Sequence, residues 1–228
     1  MLRRWLSASR LKIARTLGRL ADSRISDHYA LLRTRLQRLE RSEQVRRIAV
    51  VGAVSGEGAT LTAVNMAISL AREPSLSALI IDADLRRPSI HEYLGIDAAP
   101  GLSDLLIRGT PAASLVVTTE TPDLMALPAG STAADEAPDL LGSPRMAAAL
   151  TELAAGDPDR YLIIRSPPVL EAPDALILSS LVDGYLLVVR AHRTRRDDIL
   201  RARDLLTDQR LLGLVLNDIR GKRSKTLI

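Results

Sequence analysis

Ile48-Ala-Val-Val-Gly-Ala-Val-Ser-Gly-Glu-Gly-Ala-Thr60 is a short apolar run that breaks directly into glycines. An apolar run of this length reads as a buried strand. The stretch Thr62–Arg72 that follows it reads as a helix. A glycine loop between strand and helix is the setting of a phosphate-binding loop. Its glycines let backbone N–H groups turn inward around phosphate oxygens, and the helix N-terminus adds favourable potential. The nucleotide-contacting residues are expected to be Ser55, Gly56, Glu57, Gly58, Ala59 and Thr60, with the Thr60 hydroxyl placed for magnesium. Ala59 stands where such loops carry the lysine that contacts the outer phosphates.

Two further strands carry charge at their ends. Leu79-Ile-Ile-Asp-Ala-Asp-Leu-Arg86 places Asp82 and Asp84 where a strand gives way to a turn. In an open α/β sheet the carboxyl ends of strands face the ligand crevice. Carboxylates there suit magnesium held against phosphate. Tyr161-Leu-Ile-Ile-Arg-Ser-Pro-Pro168 is a third buried strand, and it ends on a cation, Arg165. Strands are also expected at Asp123–Leu127, Gly184–Arg190 and Leu212–Leu216, with helices at Leu102–Ile107, Pro144–Ala155 and Arg195–Asp208. The Ala-, Pro- and Thr-rich segment Thr118–Pro138 is expected to contain a flexible surface loop. Alternating strands and helices imply parallel pairing, and near-continuous apolar strands imply a sheet covered on both faces. The fold class is α/β: a three-layer P-loop NTPase-like fold with a mostly parallel sheet, plus an N-terminal helical arm.

The 228 residues fit one domain of this kind with an appendage. Charge divides the chain in the same way. Residues 1–48 hold 13 Lys+Arg against 4 Asp+Glu, and the remainder holds 18 against 23. The basic character therefore belongs to the N-terminal arm, and the mildly acidic main domain argues against nucleic acid as a partner. There is no Cys, which excludes disulfides and thiolate metal sites. The three His are far apart in sequence. No apolar run approaches the ~20 residues that span a bilayer, and a cytoplasmic location is expected.

Residues 1–25 read as a basic amphipathic arm. Leu2, Leu6, Ile13, Leu17 and Leu20 fall near a 3.6-residue period, with Trp5 beside them and Arg and Lys on the other faces. A helix over residues 2–21 is expected; it can place residues 1–24 on an anionic membrane surface, or it can dock on a protein neighbour. A second helix is expected over Asp27–Glu40, with Ser26 as its cap. The P-loop domain is taken as residues 26–220, and 221–228 as a basic tail without tyrosines.

Taken together these motifs resemble the cytoplasmic tyrosine-autokinase domain of bacterial polysaccharide co-polymerase systems, within the wider group of partition and division-site P-loop ATPases. The resemblance spans roughly residues 26–218. Ser55-Gly-Glu-Gly-Ala-Thr60 is similar to the family's Pro-Gly-Glu-Gly-Lys-Ser, and Ile81-Asp-Ala-Asp-Leu-Arg-Arg-Pro88 to its second acidic motif. Gly101-Leu-Ser-Asp-Leu-Leu106, Leu127-Pro-Ala-Gly130, Leu140-Leu-Gly-Ser-Pro-Arg-Met146, Ser166-Pro-Pro168, Asp174 and Asp183 fit as well. The resemblance implies ATP or ADP with magnesium as ligand, and gives Asn217 the position that reads adenine. It also implies a membrane polysaccharide co-polymerase or chain-length regulator as partner, self-association, and a place at the inner face of the membrane.

The departures from the family fall on its chemistry. Ala59 replaces the lysine. Arg165 replaces the Asp that serves magnesium and activates the acceptor hydroxyl. Ala30, between Asp27 and Arg33, replaces an arginine of the family's oligomerisation helix, and no tyrosine follows Tyr185. Two placements of Arg165 are open: paired with Asp82 or Asp84 in the metal position, or turned to the nucleotide as a substitute phosphate contact. The expected function is a catalytically degenerate regulatory or scaffold component of exopolysaccharide or capsule synthesis and export, with nucleotide and magnesium binding weakened or lost. The alternatives are an active tyrosine autokinase, in which Asp82 and Asp84 would carry the chemistry, and a membrane-associated positioning ATPase of the partition type.

Overall fold

The computed structural model describes residues 23–131, 134–206 and 210–218. The expected helix over 2–21, and with it the expected membrane contact of the arm, and the basic tail 221–228 lie outside the described residues. The chain runs α1 (Ser23–Glu43), β1 (Arg47–Gly52), α2 (Ala59–Ala71), β2 (Ser77–Asp82), α3 (Ile90–Leu94) and α4 (Leu102–Arg108). After a single 3₁₀ turn come β3 (Val117–Thr118), β4 (Leu124–Leu127), α5 (Ala137–Leu141), α6 (Pro144–Ala155) and β5 (Arg160–Arg165). The last elements are α7 (Asp174–Ser179), β6 (Gly184–Arg190), α8 (Arg196–Leu206) and β7 (Leu211–Asn217).

The seven strands form one sheet in the order β3-β4-β2-β5-β1-β6-β7. Every pairing is parallel except β3 with β4. The strands are apolar throughout because each face has its own core. Ala49, Val51, Leu79, Ile81, Leu162, Ile164 and Leu187 point to the side covered by α4, α6 and α8. Ile48, Val50, Ile80, Ile163, Leu186 and Val188 point to the side covered by α1 and α2. Helix α2 lies under that second face with Thr62 through Ala71 all buried, which explains why its sequence shows little amphipathic contrast.

The two glycine-bearing motifs around residues 101 and 130 form one structural unit. The Leu102 and Ser103 amides donate to the carbonyls of Pro128 and Ala129, both at 2.8 Å. A Cβ on Gly101 would stand 2.2 Å from the Pro128 carbonyl oxygen, so this close backbone approach requires glycine. The strand expected at Asp123–Leu127 is β4, and the Pro-Ala-Gly turn after it, within the Thr118–Pro138 segment, is buried through Gly130. Helix α1 begins before its expected start and takes in Ser26, which is not its cap. The short α3, α5 and α7 were not anticipated. Five or six residues are too few for a helical period to stand out.

At the opposite end of the sheet, Asp183 fixes the start of β1. Its carboxylate accepts from the Arg46 amide at 2.9 Å, the Arg47 amide at 2.7 Å, and the Arg47 guanidinium at 3.0 and 2.7 Å. Burial alone raises its pKa, but the Arg47 and backbone donors outweigh this and hold it below the usual carboxylate range. Such a group stabilises the fold above its unfolded pKa, and the contribution is lost as pH falls through the folded value. Asp183→Asn is expected to cost about 1.5–3 kcal/mol at neutral pH. The gap from wild type, followed by urea unfolding, narrows below about pH 4. A gap of constant size down to pH 3 would refute this account.

Candidate functional site

The sheet order brings the three charged strand ends together. β5 lies between β2 and β1, so Arg165 is the register partner of Asp82 on one side and of Val50 on the other. The glycine loop leaves β1 at the same level. Gly56 and Gly58 adopt φ of +83° and +94°, a left-handed conformation that favours glycine. A Cβ at Gly58 would meet the Asn217 amide nitrogen at 2.0 Å.

The loop side chains divide by direction. Glu57 turns inward and is buried: it accepts from the Val54 amide at 3.0 Å and from the Thr194 hydroxyl. Glu57 thus braces the loop from below. Asn217, expected at the adenine position, donates its amide to the Glu57 carbonyl at 2.8 Å and accepts from the Asp218 amide at 2.9 Å. Ser55 faces the carboxylate of Glu171. Ala59 opens helix α2 and brings no charge to the site.

Arg165 takes the first of the two placements left open by the sequence. Its Nη1 lies 3.6 Å from Asp82 Oδ1 and is in direct contact with Asp84 Oδ2. Its Nε donates to the Thr60 hydroxyl at 3.1 Å, and Nη1 donates to the Arg87 carbonyl at 3.3 Å. Both carboxylates are fully buried and Arg165 is 9% exposed. Asp82 also accepts from the amides of Ser89 at 2.7 Å and Ile90 at 2.9 Å, at the start of α3. Asp84 accepts from the amides of Arg86 at 3.2 Å and Arg87 at 2.8 Å. Burial pushes the Asp82 carboxyl up, more strongly than Arg165 and the two amides pull it down. Burial likewise lowers the pKa of Arg165, with Asp82 opposing. A cation of fixed position thus sits among the three oxygen-bearing groups expected to serve magnesium. These residues do not fit a divalent ion as arranged, because Thr60, Asp82 and Asp84 all face the guanidinium.

Two residues absent from the sequence reading, Ser89 and Glu171, complete the site with Arg86, Arg87 and Asp174. Ser89 reaches Thr60, Oγ to Oγ, at 3.1 Å. Arg86 pairs with the buried Asp174 at 3.1 Å. Arg87 reaches Glu171 at 2.7 Å. A lone Ser after Pro88 and a lone Glu after Pro-Pro belong to no spaced motif, so only the fold could pick them out.

A mostly parallel sheet with this loop between β1 and a buried helix defines a P-loop NTPase-like fold. The kinase domain of Escherichia coli tyrosine kinase ETK shares the fold, with a TM-score of 0.83 at 21% identity over all of this chain and 88% of that one. The tyrosine kinase domain of BceF gives a TM-score of 0.77 at 29% identity, covering 92% of this chain and 89% of that one. In sequence, the tyrosine-protein kinase YwqD of Bacillus subtilis (strain 168) is 29% identical over 194 residues, which are 84% of this chain and 80% of YwqD. No protein-family model matches the chain. The chain is a homologue of bacterial tyrosine-protein kinases.

Proposed function

We propose that this chain is a catalytically degenerate relative of the bacterial tyrosine kinases, acting as a regulatory or scaffold component of exopolysaccharide or capsule synthesis and export. The observation that carries the reading is Arg165, held against Asp82, Asp84 and the Thr60 hydroxyl. Phosphoryl transfer by such a site depends on a metal ion, a phosphate-contacting cation and a group that orients the acceptor hydroxyl. Ala59 removes the second of these, and Arg165 stands in the place of the third while occupying the groups that would serve the first. The main partner in this reading is a membrane polysaccharide co-polymerase or chain-length regulator, with further copies of the chain as a second partner. Its place is the cytoplasmic face of the membrane, with residues 1–24 as the contacting arm. Among the described residues no helix is long and apolar enough to cross a membrane.

Purified chain incubated with ATP and magnesium is expected to give no phosphotyrosine and to release ADP no faster than a blank. Phosphotyrosine on the chain, read by antibody and mass spectrometry, would overturn the proposal in favour of an active autokinase.

A further inference from the structure

The mouth of the glycine loop carries a second cluster of charge that the kinase comparison leaves unassigned. After β5 the chain runs alongside the end of β1: the Ser166 amide donates to the Val50 carbonyl at 3.1 Å, Val169 to Gly52 at 3.0 Å and Leu170 to Ala53 at 3.1 Å. This pins the next residue, Glu171, beside the loop. Its carboxylate accepts from the Ser55 amide, from the Ser55 hydroxyl at 2.6 Å and from the Arg87 guanidinium at 2.7 Å. Arg87 is held in turn, with its amide on Asp84 at 2.8 Å and its carbonyl accepting from Arg165 at 3.3 Å.

A loop amide, a hydroxyl and a guanidinium converging on one anion are the donors that recognise a phosphate group. Here a carboxylate of the chain itself stands in for that phosphate. Burial raises the pKa of Glu171, but Ser55 and Arg87 outweigh it and keep the group ionised well below neutral pH. Mild acid therefore does not open the contact, whereas a competing anion can. Glu171 is one-third exposed on its outer side, so a ligand approaching from solvent can reach its donors.

We propose that Ser55 and Arg87 form an anion site at the mouth of the loop, that Glu171 is its internal occupant, and that a phosphate-bearing ligand binds by displacing the Glu171 carboxylate. The inference rests on reading residues 53–60 as a phosphate loop, not on whether the site is catalytically dead. Because its donors are an amide, a hydroxyl and the Arg87 guanidinium, this binding requires no magnesium.

Calorimetric titration in EDTA tests it, using ADP, ATP, pyrophosphate, inorganic phosphate and adenosine against wild type, Glu171→Gln and Glu171→Ala. Removing a like charge from an anion's path is expected to tighten ADP binding about tenfold or more in both variants. Adenosine affinity stays the same, and a gain with inorganic phosphate or pyrophosphate identifies a free-phosphate site rather than a nucleotide site. Appearance of ADP binding in the variants alone supports the proposal equally. Equal ADP affinity in all three proteins, an equal gain for adenosine, or no phosphate ligand bound by any of them overturns it. Each of those results leaves the catalytic reading standing. Phosphotyrosine on the wild type would sink that reading without touching this comparison.

Discussion

Arg165→Ala is expected to destabilise the fold by about 3–5 kcal/mol at neutral pH. The reason is the company Arg165 keeps. Asp82 and Asp84, two residues apart at the end of β2, are fully buried, and the guanidinium contacts both. Removing it leaves two carboxylates in a site of low polarity, with backbone amides as their remaining partners. The variant has one ready escape, which is to protonate. Burial already holds the Asp82 carboxyl above its ordinary range. A carboxyl raised in the folded state favours folding below its unfolded pKa, and that contribution is lost as pH rises through the folded value. Without Arg165 the folded value rises further. The deficit of the variant is therefore smaller at pH 5 than at pH 7.5, in urea unfolding at both. A deficit equal at the two pH values would mean that Arg165 stabilises by packing alone. A double-mutant cycle with Asp82→Asn separates these cases, because only an ion-pair role gives strong coupling between the two positions.

The sequence carried the strand–loop–helix start and the charged strand ends because each is a local pattern: an apolar run, then glycines or acids. It did not carry the choice between the two placements of Arg165. That choice depends on β5 lying between β1 and β2, an order of strands that no window of residues contains. The same limit applies to side-chain direction within the loop. Glu57 and Ser55 stand two residues apart in a loop expected to bind nucleotide, yet one is buried against Thr194 and the other faces Glu171. Backbone turns at Gly56 and Gly58 decide this, and residue type alone does not. Thr194, Ser89 and Glu171 were missed because each acts through a partner distant in sequence. Asp183 was found only as part of a resemblance, and its work lies far from the loop, at the start of β1.

The largest gain of function is expected from reversing both departures at once, in Ala59→Lys with Arg165→Asp. Wild type holds its cluster together with an internal cation, so added magnesium has no vacancy to fill and leaves its unfolding temperature unchanged. The double variant exchanges that cation for a third carboxylate beside Asp82, its partner in the β2–β5 register. Three carboxylates in one buried place repel each other, so in EDTA the variant is less stable than wild type. The same repulsion makes the place a ligand set for a hard divalent ion. Magnesium, and more strongly magnesium with ADP, then stabilises the variant by mass action, about 2.7 kcal/mol when free ligand is 100 times its dissociation constant. The measurement is thermal unfolding in EDTA, in magnesium, and in magnesium with ADP, for wild type, both single variants and the double. Arg165→Asp alone responds to magnesium but weakly to ADP, because Ala59 still offers no phosphate contact. Ala59→Lys alone places a second cation near Arg165 and gains nothing from the metal. If the double variant ignores magnesium, the site has lost more than these two residues, and Arg165 is a consequence of that loss rather than its cause.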